Sequence, residues 1–536
     1  MNRHNERSLR WTRRAPGVAV GVGAAWLVLA AAAAPPVAAE NEHVLGEWVD
    51  PPGGDDWGGF VPKFAALLPD GKVLIWRATY TCDEESERIW NSQTGDFTTL
   101  GSEDTDHARC SGFAHLKTGS ILSAGGVCSG SSDQATEYSF TGNEWVSRAT
   151  LDIGRFYPSL TRLSDGRVIA TLGDNPPDWG GIDPMYFVDV PERYDPEAET
   201  WTTLTSATHP AGGLTNYPHI YILPFDDLLF QAGPNTGTFL LDLAAGTNGE
   251  WDDTPLDDPA GYGAFSARTA MYEPGVILKC GGAAGDPSLP VPDTLFIDFN
   301  DTTPEWLHID EQQSVYEMII ERQWHNAVLL PGGRIMAVNG IWRPNTLQDY
   351  EYVKSPEWID TNDFASGWSD LADETYDRGI GPHYLALLLP SAEVLVCGGG
   401  PDHSDMDKAE IFSPPYLFKA NDDPADRPTI GSAPTRVIYG SEFKVFLAQS
   451  STVLAGDISM ISLMGLPAVT HGFDQNQRHV SLTFEVGGDY VLSVTAPANG
   501  NIAPPGYYML FLVGPEDPVT LNRPPSEAVF IQFGPE

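Results

Sequence analysis

One pattern of apolar and polar positions recurs along the chain: an apolar stretch, a tight polar turn, a second apolar stretch and a closing small residue. It reads Phe64-AALLPDGKVLIWRA, Phe113-AHLKTGSILSAGG, Ser159-LTRLSDGRVIATLG, His219-IYILPFDDLLFQAG, Thr269-AMYEPGVILKCG, Asn326-AVLLPGGRIMAVNG and Tyr384-LALLLPSAEVLVCGG. The closing positions are Ala78, Gly126, Gly173, Gly233, Gly281, Gly340 and Gly399, spaced by 48, 47, 60, 48, 59 and 59 residues. Each unit predicts two buried strands around a turn. Further strand-like stretches ending in a turn and Trp lie between units, as in Tyr138-SFTGNEW, Tyr194-DPEAETW and Phe296-IDFNDTTPEW. Four strands per period, seven times over, predict an all-β, seven-bladed, kelch-like β-propeller over residues 41–425. Beyond Pro428 the period stops, and alternating strands with Gly and Pro turns predict an immunoglobulin-like β-sandwich over residues 426–536.

The same alignment marks a ring of positions. Counting back from each turn to the residue that opens the inner strand finds Pro62, Cys110, Tyr157, Tyr217, Phe265, Trp324 and His383. In a propeller, equivalent positions surround the axis at one end. Phe265 and Trp324 read there as apolar fill. Cys110 beside Tyr157 on neighbouring blades, with a histidine on the same rim, is a grouping with chemistry in it.

Composition narrows the function classes. Thirty basic against 73 acidic side chains give a net charge of −43, which disfavours nucleic acid and anionic lipid as partners. Residues 1–39 read as an export signal: Arg3, Arg7, Arg10, Arg13 and Arg14 precede an apolar run from Val18 to Ala34 and a small-residue cleavage pattern ending at Ala39. The general secretory or the twin-arginine route would fit, and the protein is expected outside the cell with no integral membrane segment. Loss of five Arg and one Glu, a net +4, would leave the mature chain near −47. Five cysteines, Cys82, Cys110, Cys128, Cys280 and Cys397, leave at least one sulfur outside any disulfide. No phosphate loop, nucleotide fingerprint, serine nucleophile elbow or HExxH pattern stands in a convincing context.

The stretches Asp106-HARCSGF, Gly154-RFYPSLTRLSDGR, His383-YLALLLPSAEVLVCGGG, Ala409-EIFSPPYLF, Ala468-VTHGFDQNQRHVSL and Pro505-GYYMLF together resemble the galactose oxidase and glyoxal oxidase family of mononuclear copper radical oxidases. The resemblance covers nearly all of the chain after residue 40, including a C-terminal early-set domain. It implies copper as the metal, with Tyr157, His383 and His471 as ligands. It also implies a thioether between Cys110 and Tyr157 that makes Tyr157 the tyrosyl radical site. Two imidazoles and a phenolate suit tetragonal Cu(II), and sulfur on the phenol ring lowers the potential at which its radical forms. Such a centre takes two electrons from a primary alcohol or aldehyde, carbohydrate-linked alcohols included, and passes them to O2 as hydrogen peroxide.

This chain departs from the family pattern at one position: an axial tyrosine precedes the first histidine in the family, and Pro382 stands there here. Tyr384 should face the other side of its strand, and Tyr376 lies in the preceding loop. Asn175 occupies the position of the family's stacking aromatic, leaving Trp179 as a candidate, and Tyr217 and Trp324 are candidates for the layer around the ligands. For Cys110 the plain alternative is a disulfide with Cys82 or Cys128. Cys280 and Cys397 read as buried thiols, and His107, His115, His209, His219, His325, His403 and His479 as structural or surface residues. The competing function is a non-catalytic extracellular propeller that binds a glycan or protein and retains a vestigial copper site.

Overall fold

The structure is a computed structural model that describes residues 41–77, 87–100, 110–126, 132–175, 186–212, 216–257, 266–284, 289–308, 316–343, 349–400 and 405–535. The predicted export signal lies outside these residues. No helix among them is long and apolar enough to cross a membrane.

Seven antiparallel sheets follow one another along the chain, six of four strands and the first of six, four of its own and two added by a later hairpin. Their innermost strands are Phe64–Leu67, Gly112–His115, Ser159–Arg162, His219–Ile222, Arg268–Glu273, Asn326–Leu330 and Tyr384–Leu388, which define blades 1 to 7. Nearly every residue of these strands is buried, because both faces of an inner blade strand pack against neighbours. Outer strands alternate, as in Thr200–Thr203, where Trp201 is buried and Thr200 and Thr202 are exposed. Blade 7 takes its outer strand from the other end of the described chain: Glu47–Val49 pairs antiparallel with Glu410–Ser413. Trp48 secures that closure, with its ring 4.9 Å from Phe412 and its indole N–H donating to Ala372 O at 2.7 Å.

A buried ion pair recurs in blades 3, 6 and 7. Glu192, Glu357 and Glu410 each open the third strand of the blade and receive a buried arginine: Arg155 at 2.5 Å, Arg322 at 2.7 Å and Arg378 at 2.9 Å. Each carboxylate also accepts two backbone N–H groups of the loop entering the blade, from Asp152 and Ile153, Ile319 and Ile320, and Thr375 and Tyr376. Buried charge is tolerated only when its lone pairs are so satisfied, and the same bonds fix the loops that lead to Tyr157, Trp324 and His383.

After Pro428 two sheets face each other. One holds Ile430–Ser432, Glu442–Leu447, Phe484–Gly488 and Val491–Thr495; the other holds Arg436–Ile438, Met460–Gly465, His479–Leu482, Gly506–Val513 and Val529–Gly534. Phe443, Val445 and Leu447 point into the core while Glu442, Lys444 and Phe446 face out, the period of two expected of a half-buried strand. Gly506–Val513 is buried on both faces: Tyr508, Leu510 and Leu512 join the sandwich core, while Met509 and Phe511 join a cluster that includes Leu329, Leu387 and Leu395 of the blades.

One hairpin leaves the sandwich and enters the propeller. Ala468–Thr470 pairs antiparallel with the innermost strand of blade 1, Phe64 opposite Thr470 and Ala66 opposite Ala468, and Phe473–Asp474 returns beside it. Blades from around the axis grip this segment. Gln475 Oε1 accepts Phe113 N–H and Leu160 N–H, Phe473 stacks on His219 at 3.9 Å, and Gly472 N–H donates to Tyr384 O at 3.1 Å. Arg268 is buried and donates to His471 O at 2.7 Å, His325 O at 2.8 Å and the carbonyls of Ser266 and Ala267. Burial brings its pKa down to about 10, so it keeps its charge at neutral pH.

Gly472 lies between these groups at φ +75°, where a Cβ would meet His325 O at 2.5 Å, Arg268 Nε at 2.8 Å and Trp324 O at 2.9 Å. Gly472→Ala therefore combines left-handed strain with a backbone clash. It is expected to lower stability by about 2–4 kcal/mol, read as a drop in the midpoint of denaturant unfolding. Ala→Gly at exposed Ala198 should shift that midpoint far less.

Candidate functional site

The residue two positions before the inner strand is left-handed in blade after blade. Cys110, Tyr157, Tyr217, Ser266 and Trp324 have φ of 60°, 58°, 45°, 66° and 61°. Each such non-glycine conformation costs about 1–2 kcal/mol, and an outlier repeated at one ring marks a constrained site. Backbone hydrogen bonds link the ring from blade to blade: Tyr157 N–H donates to Cys110 O at 2.9 Å, Tyr217 N–H to Tyr157 O at 2.8 Å and Trp324 N–H to Ser266 O at 3.4 Å. In blade 5 the ring residue is Ser266 and not Phe265, which lies outside the described residues. The hairpin there has a register shift between Met271 and Glu273, so counting back from its turn misses by one.

The structure brings together the four residues singled out for chemistry. Cys110 Sγ and ring nitrogens of His383 and His471 all lie within 4.8 Å of one another. The His383 and His471 rings are 4.3 Å apart, and Tyr157 meets His471 edge to face at 5.5 Å. Cys110 and His471 are buried, while Tyr157 and His383 are half-buried and form the accessible side. Tyr217 packs 4.7 Å from His471 and 5.2 Å from Tyr157, and its hydroxyl donates to Ser111 O at 3.0 Å. Burial, and then the proximity of Cys110 and Tyr157, hold the Tyr217 phenol protonated. Trp324 donates its indole N–H to Ser266 Oγ at 2.7 Å and packs against the Ile341, Tyr352 and Tyr384 cluster.

His471 stands at the tip of the axial hairpin, also left-handed at φ 50°. Thr470 Oγ1 lies 3.0 Å from Lys63 O and 2.7 Å from His471 Nδ1. Lys63 O can only accept, so both contacts are satisfied when Thr470 donates to it and accepts from Nδ1–H. That assignment leaves the lone pair on Nε2, the form in which a histidine binds a metal. Two imidazoles, a phenol and a thiol in one pocket are a donor set for a borderline transition metal, and copper fits it.

The other sequence candidates separate cleanly. Trp179, Cys82, Cys128, His107 and His403 lie outside the described residues. Cys280 and Cys397 are buried, with thiols pushed up to about 12 by burial. His209 bonds Gln231, His219 bonds Thr269, His479 bonds Tyr272 O and Ser462, His115 lies against Pro467 O, and His325 against Cys280. All five are buried structural residues. Tyr384 does face away, as its strand period predicts: its hydroxyl bonds Gly379 O and accepts Gly381 N–H. Tyr376 donates its hydroxyl to the Asp55 carboxylate. Neither phenol takes the place left by Pro382. Sequence reasoning missed Thr470, Arg268 and the blade glutamates; the Thr-His-Gly run was the one signal available for the first.

Residues 427–533 match the family described as galactose oxidase-like, early set domain. Over 447 residues, 75% of this chain and 79% of the relative, the sequence is 29% identical to "Aldehyde oxidase GLOX" of Vitis pseudoreticulata. It is 26% identical to "Galactose oxidase" of Gibberella zeae over 498 residues, 86% of this chain and 69% of that protein. A solved structure described as a "novel fungal alcohol oxidase with catalytic diversity among the AA5 family, in complex with copper" superposes with a TM-score of 0.73 at 24% identity. It covers 91% of this chain and 99% of its own, and so shares the fold. Across the propeller and the early-set domain, then, the chain is similar to proteins named galactose oxidase and aldehyde oxidase GLOX.

Proposed function

We propose that the protein is a secreted copper radical oxidase acting on primary aldehydes and alcohols, with O2 reduced to hydrogen peroxide. The observation that carries this reading is the convergence of Cys110, His383 and His471 within 4.8 Å, beside Tyr157. Tyr157, His383 and His471 would hold copper, which when bound supplies a one-electron acceptor next to the phenol. Cys110 and Tyr157 would join through a bond from sulfur to the ring carbon ortho to the hydroxyl. That step releases two protons and two electrons, which O2 takes up as hydrogen peroxide.

In turnover Tyr157, as its phenoxyl, would accept a hydrogen atom from the substrate carbon, and the second electron would pass to the one-electron acceptor held beside it. The Thr470 hydroxyl keeps His471 in the tautomer that presents Nε2. The buried side of the pocket, lined by Cys110, Tyr217 and His471, keeps water from the phenoxyl, and substrate enters over Tyr157 and His383. Among the described residues of blade 7 no phenol stands as a base: Pro382 has no proton-accepting group, and Tyr376 and Tyr384 are engaged elsewhere. The hydroxyl proton of the substrate then passes to solvent. The hydrate of an aldehyde gives up that proton more readily than an alcohol does, so aldehydes are the preferred class.

Pro382, in place of the family's axial tyrosine, favours a second reading, a non-catalytic extracellular propeller that binds glycan or protein around a vestigial copper site. Peroxide release from matched alcohol and aldehyde pairs separates the two: the first reading expects peroxide, fastest with aldehydes, and silence across the panel selects the second.

Peptide mass spectrometry after copper and O2 exposure is expected to find the Cys110 and Tyr157 peptides joined, two hydrogens lighter and resistant to thiol reductant. Separate peptides would remove the radical oxidase from consideration. Thr470→Val keeps the shape and deletes the hydroxyl. It should weaken copper binding about 10- to 100-fold in a calorimetric titration.

A further inference from the structure

A run of aromatic rings leads from the site to the rim of the propeller. Tyr157 meets His471 at 5.5 Å, and His471 meets Phe64 edge to face at 6.3 Å. Phe64 stacks on Trp76, its cross-strand partner, at 5.0 Å with the planes 6° apart. Trp76 meets Trp145 at 5.9 Å, and Trp145 meets its own cross-strand partner Tyr138 at 5.7 Å. Phe64 and Trp76 are buried. Trp145 is half-buried on the outermost strand of blade 2, next to the exposed Glu144. The path therefore starts at Tyr157, itself one of the proposed metal ligands, crosses the seam of blades 1 and 2 through packed rings, and ends at the half-exposed Trp145.

Blade 3 carries the equivalent rim pair, Tyr194 and Trp201, with ring centroids 5.0 Å apart. Only tryptophan and tyrosine among these side chains lose an electron at accessible potentials. Trp76 and Trp145 are thus the stations, and Phe64 and His471 the medium between Trp76 and Tyr157. A thioether-substituted phenolate is easier to oxidise than an indole, so an electron vacancy placed on Trp145 runs inward to Tyr157.

We propose that Trp145 and Trp76 form an electron port through which a cationic one-electron acceptor at the rim of blade 2 oxidises Tyr157. The acceptor gains one electron, the Tyr157 phenolate loses one and becomes the phenoxyl, and no bond or proton moves in the net step. A net charge of −43 draws a cationic acceptor and repels an anionic one. The port rests on the reading of Tyr157 as the one-electron centre.

The test mixes the copper-loaded, one-electron-reduced protein with tris(bipyridine)osmium(III) and follows the Tyr157 radical by its absorbance and by electron paramagnetic resonance. Trp145→Phe is expected to slow radical formation on the order of tenfold or more, with copper affinity unchanged. Trp76→Phe, which keeps a ring against Phe64, should slow it similarly, and Trp201→Phe should match the wild type. Added salt should slow the wild type as screening weakens the attraction. Wild-type rates in both Trp145→Phe and Trp76→Phe would overturn the port and assign electron entry to the open side over Tyr157 and His383. A wild-type protein that forms no radical at all, with copper bound, would instead defeat the oxidase reading.

Discussion

The pairing of Ala468–Thr470 with Phe64–Ala66 is the constraint on which the site depends. A propeller has an open axis, and a hairpin lent by another domain fills it. Once that strand is in register with blade 1, His471 is carried to the level of the ring, and a shift of one residue would turn its side chain to the other face. Arg268 and Gly472 make the seat selective. A buried guanidinium with four carbonyl acceptors holds the tip, and a position with no room for a Cβ lets the tip come close enough to be held.

Against this fixed hairpin the propeller presents its own ring. In blades 2 to 6 the left-handed residue two positions before the inner strand turns the chain sharply, and the carbonyls of Cys110, Tyr157 and Ser266 each receive the N–H of the next blade's ring residue. The strain is local and the compensation is distributed. Glu192, Glu357 and Glu410 each gather two loop N–H groups and an arginine, so the entering loops cannot relax. Tyr157 and His383 are therefore held in place by the fold itself, which is the preorganisation a metal centre needs.

What the site has and lacks follows from the same scaffold. Donor atoms for a metal come from three sources: blades 2 and 3, blade 7 and the axial hairpin. The proton acceptor expected from blade 7 is replaced by Pro382, and the two nearby phenols are drawn off, Tyr384 into the Gly379–Gly381 turn and Tyr376 to Asp55. In the proposed reading the donor atoms and the proton acceptor are separable, and the acceptor is where this sequence departs from the family pattern.

The sequence by itself determined the blade number, because a two-strand unit with a turn and a small residue repeats at a legible spacing. It also determined the ring, because equivalent positions in a repeat are equivalent in space. Cys110, Tyr157 and His383 follow from that arithmetic; His471 follows only from the matched Thr-His-Gly stretch, since nothing in its local pattern tells that the hairpin crosses into another domain. Tertiary structure alone decided the rest. Closure of blade 7 by Glu47–Val49, the Arg268 clamp, the Thr470 tautomer lock and the displacement of the blade 5 ring residue to Ser266 all join residues far apart in sequence or depend on a one-residue bulge. Periodicity records which face of a strand is buried, whereas a hydrogen bond across 203 residues leaves no trace in it.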